Sequence, residues 1–328
     1  MTGTFVLSLD TELVWGSFDH TSAADFERRY PDIRGVIADI LGLLERHEIS
    51  ATWAVVGHLF LRACQRGADG RAHPELRRPT HAWFDSDWLG PDPCTDRASD
   101  PLWYGDDIIA ALRAAGVPQE IGSHSFSHVI FGDEGCSADV ASSELEACFR
   151  VAADEGIELR SFVFPRNVEG HHDVLRAHGI RAFRGAEPYW YRRLPGPLRR
   201  AAHLADEAIA LTPPVSSPAE ILPGLWDIPG SMLLLSRVGV RRLVPIQARV
   251  SKARKGLRRA VREDKVFHLW FHPFNLAVDR GAMLAALDEI LQEASRLRSA
   301  GQLTIRSMGA LADELAAGSR AANAGMPR

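Results

Sequence analysis

The chain has 328 residues, 46% of them hydrophobic, enough apolar material for one large α/β domain or two small ones. A formal net charge of −4 gives no electrostatic reason to expect nucleic acid as a partner. No run of about twenty apolar residues occurs, which excludes a membrane-spanning helix.

In chain order, Phe5–Leu9 reads as a first strand, ending in the acidic pair Asp10 and Glu12. No basic stretch with a long apolar run stands ahead of it, so no secretion signal is read and a cytoplasmic location is expected. An aromatic loop (Trp15, Phe18, Phe26, Tyr30) leads to Ile33–His47, whose Val36, Ile37, Ile40, Leu41 and Leu44 have helical spacing. Ala51–Val56 is a second strand. Residues 66–103, rich in Gly, Pro, Asp and Trp, show no period, and a segment of that length is more often a functional lid than a connector. A helix at Asp106–Ala115 precedes a third strand, Val117–Ile121, which runs into His124 and His128. A helix at Ala138–Asp154, a strand at Ser161–Phe164, a helix at His171–Gly179 and a short strand at Arg181–Phe183 follow. Residues 187–223 break into Pro-rich and basic text and read as an insertion. Val240–Val261 is a basic helix, Val266–Phe271 a strand, Gly281–Ser299 a helix, and Leu303–Ile305 with a short helix to Ala317 closes the fold. Residues 319–328 read as a disordered tail. The repeating β-α order predicts parallel strands with right-handed crossovers in a single domain over 1–318.

Several strand ends carry ionisable groups, which predicts one site at the carboxyl edge of a parallel sheet or barrel. Asp10 and Glu12 lie two apart on a strand and point the same way. Two such carboxylates repel unless a cation or a proton lies between them, which suits a metal ligand beside a general base. His124 and His128 would share one face of a helix and could reach one ion, and Gly122, Ser123, Ser125 and Ser127 around them leave room for close approach. His272 follows the aromatic strand LWF and would need a carboxylate on its other ring nitrogen to act as a general acid; Asp227 in LWDIPG is the candidate. Taken singly, each has a plainer reading: a loop-capping Asp-Thr-Glu, ordinary histidines, a packed histidine. The four cysteines, Cys64, Cys94, Cys136 and Cys148, include no CxxC pair and read as reduced thiols, with two disulfides as the alternative.

Together these pieces resemble the polysaccharide deacetylase (NodB-homology) family. SLDTE resembles its first motif, SHSFSH its second (H-S/T-x-x-H), SFVFPRN stands where the third belongs, and the HP of LWFHP resembles the fifth. ATWAVVGH is similar to the family's second-strand segment, so the likeness runs in motif order through most of residues 4–275. It implies a distorted (β/α) barrel of about seven parallel strands and a divalent metal, most often zinc, held by one carboxylate and two histidines. Most of the family has adjacent aspartates in the first motif, a base and then a ligand. Here Thr11 follows Asp10, so Asp10 would be the base and Glu12 the ligand, with His124 and His128. The third motif usually has an arginine ahead of its proline. Val163 stands near that place, and Arg166 is the expected substitute. The fourth motif, an Asp with a Trp, is matched loosely by Trp226-Asp227.

The resemblance implies hydrolysis of an N-acyl group, most plausibly N-acetyl, on a sugar or glycan precursor. His272 would protonate the leaving amine, and a backbone N–H, that of Arg166, would help hold the oxyanion. The alternatives are hydrolysis of a formamide or cyclic amide at the same site, a catalytically silent glycan-binding barrel, and a phosphate-ester metallohydrolase. The basic helix suggests a nucleotide- or lipid-linked sugar as one form of substrate. YWYRRLPGPLRRAAHL suggests peripheral contact of 187–262 with the inner face of an anionic membrane. Loop tryptophans (Trp15, Trp83, Trp88, Trp103, Trp190) suit stacking on sugar rings.

Overall fold

Strand β1 (Gly3–Thr11) is the spine of the sheet in the computed structural model, which describes residues 2–189 and 194–324. Its Phe5, Leu7 and Leu9 are buried on one face and Val6, Ser8 and Asp10 on the other, as in a parallel strand covered on both sides. One edge of β1 pairs with β9 (Val266–Phe271). The other takes β10 (Leu303–Arg306) beside its first half and β2 (Thr52–Val55) beside its second. From β2 the sheet continues in parallel through β3 (Glu120–Ser123), β4 (Ser161–Val163), β5 (Ala182–Arg184) and β7 (Leu225–Asp227). β8 (Met232–Leu233) lies outside β9, and among the described strands only β6 (Ala219–Leu222) runs antiparallel, against β7. The result is a curled, mostly parallel half-barrel wrapped by helices, the distorted (β/α) barrel expected. Among the described residues its ten strands exceed the seven or so anticipated, because pieces such as two-residue β8 are too short to leave a period in the sequence.

Two cores follow from the alternation along the strands. Phe5, Leu7 and Leu9 pack outward against helices, including α2 (Ile33–Arg46), which buries Val36, Ile37, Ile40 and Leu44 and is N-capped by Asp32. Val6, Ala54, Val163, Ala182 and Ile228 point into the barrel, where Met308, Leu311 and Ala312 of α9 (Met308–Ala324) close the bottom. Each of the larger side chains among them (Val, Leu, Ile, Phe, Met) contributes roughly 1.5–3 kcal/mol on burial. Above that apolar floor the inward positions turn polar, with Ser8, Asp10, His268 and Arg184 all buried.

Several expectations change. Within the aromatic loop, Ala23–Arg29 forms helix α1, capped by Ser22. The 187–223 insertion contains helix α6 (Gly196–Ile209) and β6, while Trp190–Arg193 lie outside the described residues. The basic helix, α7, spans Ile246–Glu263 and is not simply a solvated face. Its Lys252 is buried against Asp206 and Glu207 of α6, and its buried Arg249 donates to the carbonyls of Leu235, Val244 and Arg241. The backbone of α9 runs on to Ala324, through most of the tail read as disordered; residues 325–328 lie outside the described part. All four cysteines are free.

Candidate active site

Strand register brings the candidates together. Thr11 lies opposite Val55, Val55 opposite Ser123, and Ser123 opposite Phe162, so Glu12, His124 and Val163 all leave the sheet at one edge. On the other side of β1, Leu9 pairs with Phe271, which delivers His272 to the same edge.

His124 and His128 do not share a helix. They stand on an irregular loop after β3, with Ser125 and His128 at φ 57° and 61°. Left-handed backbone at a non-glycine costs about 1–2 kcal/mol, so neighbours must hold it. Glu144, buried on helix α4 (Ala138–Asp154), accepts from the N–H groups of Phe126 and Ser127 and from the Ser127 hydroxyl. Gly57 and His58 donate backbone N–H groups to the carbonyls of Ser125 and Phe126, and Trp88 Nε1 donates to that of Ser127. The small size of Gly122 serves the sheet: a Cβ there would stand 2.4 Å from Ser161 Oγ.

Glu12 Oε2 lies 3.2 Å from His124 Nε2 and 3.1 Å from His128 Nε2, and its Oε1 lies 3.4 Å from His272 Nε2. His124 Nδ1 stands 2.8 Å from the Val163 carbonyl, which can only accept, so Nδ1 carries the hydrogen. In the neutral ring the Nε2 lone pair therefore faces a carboxylate oxygen, an arrangement that needs a proton or a cation between the two. Burial would raise the Glu12 pKa, but His272 and His128 charge and hydrogen bonds from His124 and His128 outweigh it and hold the carboxyl well below its usual range. Burial pushes the His128 pKa down against the opposing pull of Glu12, favouring the neutral ring that a metal requires. Buried carboxylate and imidazole atoms within 4.8 Å of one another thus form a group that could hold a divalent ion.

Asp10 is gripped by a residue the sequence reading passed over. Arg184, at the end of β5 and beside Val163 in register, donates 2.6 and 2.7 Å bonds to the two Asp10 oxygens. The pair is 1% and 3% exposed. Burial raises the Asp10 pKa, yet the charge and hydrogen bonds of Arg184, with His272 and His124, leave it lowered overall. Arg184 also donates to Asn167 Oδ1 and Ser8 Oγ and stacks on Trp270, 4.0 Å from the ring centre. Arg166, the expected stand-in, turns instead to Asp19 at 2.6 Å and lies over Trp83.

His272 Nε2 is 3.7 Å from Asp10 Oδ2, within the same cluster. The group beside its Nδ1 is Asn275 Oδ1 at 3.3 Å, where Asp227 was expected. Asp227 lies near Gly185 and Glu169, and burial with the Glu169 charge pushes its carboxyl up to about 6. His268, also unanticipated, hydrogen-bonds the Ile228 carbonyl through Nδ1 and Ser8 Oγ through Nε2, beneath Arg184. Trp15, Trp88 and Trp103 are buried and pack on one another or on Phe18, while Trp83 is 45% exposed.

No family model and no curated protein matches this sequence. Solved structures do. A Mycobacterium smegmatis protein assigned as a polysaccharide deacetylase aligns over 100% of this chain and 94% of its own, with TM-score 0.61 and 14% identity. A Pseudomonas aeruginosa PAO1 protein with the same assignment aligns over 94% of this chain and 89% of its own, with TM-score 0.56 and 13% identity. The Puue allantoinase aligns over 94% and 88%, with TM-score 0.55 and 13% identity. The chain therefore has the fold of the NodB-homology polysaccharide deacetylases.

Proposed function

We propose that the protein hydrolyses an N-acetyl group on a sugar or glycan precursor, with Glu12, His124 and His128 holding a zinc ion. The observation that carries this reading is the Nε2 atoms of both histidines converging on one buried Glu12 oxygen, with Asp10 and His272 beside it. Zinc at such a site supplies Lewis acidity toward an acyl oxygen and acidifies water. Asp10, kept ionised by Arg184, accepts the proton of the attacking water. His272, its ring set by Asn275, donates a proton to the departing amine. Arg184 is a positioning residue: it fixes the Asp10 plane from the strand next to the one that usually supplies an arginine. The Arg166 guanidinium is engaged by Asp19, which leaves its backbone N–H for the oxyanion role.

The test is acetate release from a panel of N-acetylated sugars by the zinc-loaded protein. Asp10→Asn should keep the metal and lose turnover, while His124→Ala should lose both. Full activity in Asp10→Asn would remove the scheme. Because an allantoinase shares the fold, a formamide or cyclic amide belongs in the same panel as the competing C–N substrate. The basic helix lends little to a nucleotide- or lipid-linked substrate, since Arg249 and Lys252 satisfy groups inside the protein. Peripheral membrane contact rests on exposed Leu198, Ile209, Val240 and Leu243, and a failure to cosediment with anionic vesicles would dismiss it.

A further inference from the structure

Residues 61–105 contain no helix and, among the described residues, no strand pairing beyond the isolated bridge Ala63–Asp96. A stretch of that length needs something other than a ladder to fix it. It wraps a largely buried cluster, with only Cys64 half-buried, that the candidate active site does not use. Asp92 Oδ2 lies 3.1 Å from His58 Nε2, 3.0 Å from His73 Nε2 and 3.5 Å from Cys64 Sγ, and that sulfur lies 3.7 Å from His58 Nε2. The four donor atoms all fall within 4.8 Å of one another. A tetrahedral zinc with arms of about 2.05 Å to nitrogen or oxygen and about 2.3 Å to sulfur has edges of roughly 3.3 and 3.6 Å. The observed separations are close to those edges.

We infer that His58, Cys64, His73 and Asp92 form a second, closed zinc site that fastens the 61–105 segment to the barrel. A network of shared protons is the competing account. One proton can bridge two of these four atoms, whereas a divalent ion satisfies all four at once. The surroundings also orient three of the four donors. His58 Nδ1 faces the Trp103 carbonyl at 3.1 Å, so Nδ1 carries the hydrogen and Nε2 is left for a metal. The Cys94 N–H occupies Asp92 Oδ1 at 2.9 Å, leaving Oδ2 for the cluster. The Tyr104 hydroxyl accepts from the Thr95 N–H and has its own hydrogen for Cys64 Sγ, 3.3 Å away. With four protein donors and no position left for substrate, the site has the form of a structural zinc. One thiolate, two imidazoles and a carboxylate suit zinc better than magnesium or calcium.

Metal analysis of the purified full-length protein tests this. Wild type should carry about two zinc ions per chain, falling to about one in Cys64→Ser and about one in His124→Ala. Cobalt-loaded wild type should show a sulfur-to-cobalt charge-transfer band, because Cys64 is the only cysteine in either donor set. That band should persist in His124→Ala and vanish in Cys64→Ser. If Cys64→Ser fails to fold, the band in natively folded His124→Ala still reads the site. One zinc in wild type that His124→Ala removes, no thiolate band, or a Cys64–Cys94 disulfide in the mass spectrum would overturn the inference. An inactive but doubly loaded protein would count against the proposed hydrolysis and leave this site standing.

Discussion

Replacing Arg184 with methionine keeps most of the side-chain volume and removes the charge that Asp10 depends on. Both partners are almost wholly buried and share two short bonds, so the weak energetics of surface ion pairs do not apply. Breaking one half of a buried pair costs about 3–5 kcal/mol, a large part of the roughly 5–15 kcal/mol that holds a typical domain folded. The pH dependence gives the sharper test. In wild type the folded Asp10 pKa is lowered, so its contribution is present above the unfolded value and disappears as pH falls through the folded one. In Arg184→Met, burial without the guanidinium would raise that pKa, and ionised Asp10 would then oppose folding near neutrality. The deficit relative to wild type should therefore be widest at about pH 7 and narrow toward about pH 4. Urea unfolding across that range reads it, and the acid limb of kcat/KM should move to higher pH in the same variant. A loss below about 1 kcal/mol at neutral pH that does not change on acidification would refute the reasoning.

Two other perturbations probe neighbouring parts of the site. A Cβ on Gly16 would stand 2.0 Å from Glu12 Oε1, so Gly16→Ala should push that carboxylate off the histidines. Zinc affinity should fall on the order of 10- to 100-fold with little change in the melting curve, and wild-type affinity in a chelator titration would contradict the placement of Glu12. His268 has its pKa pushed down to about 3, first by burial and then by the Arg184 charge. The unfolded chain takes up that proton near pH 6.5 and the folded chain does not, so stability should decline as pH drops from there toward 3. His268→Asn should flatten that decline in urea midpoints measured between about pH 4 and 7; an unchanged slope would mean the ring is not held neutral.

The strands and helices with long apolar periods were legible in the sequence, as Ile33–Arg46 and Val266–Phe271 show. Glu12, His124, His128 and His272 were legible as a group because strand ends of a parallel sheet share one edge. Their supports were not. Arg184 lies one residue past the strand that the pattern marks at Arg181–Phe183, and its partner is 174 positions away in the chain. Four-residue spacing suggested a helix at His124, but that loop is set by tertiary bonds from Glu144, Gly57, His58 and Trp88, which leave no local period. The cysteines show no CxxC signal for the same reason: Cys64 approaches His58, His73 and Asp92 through irregular chain.

Trp88, inside the aperiodic segment, donates its indole N–H to Ser127, between the two histidines of the site. The segment cannot therefore be pared back as a dispensable ornament when engineering a minimal barrel. Shortening it would unfasten the very ribbon that presents His124 and His128, so the smallest working version of this protein must carry its least regular part intact.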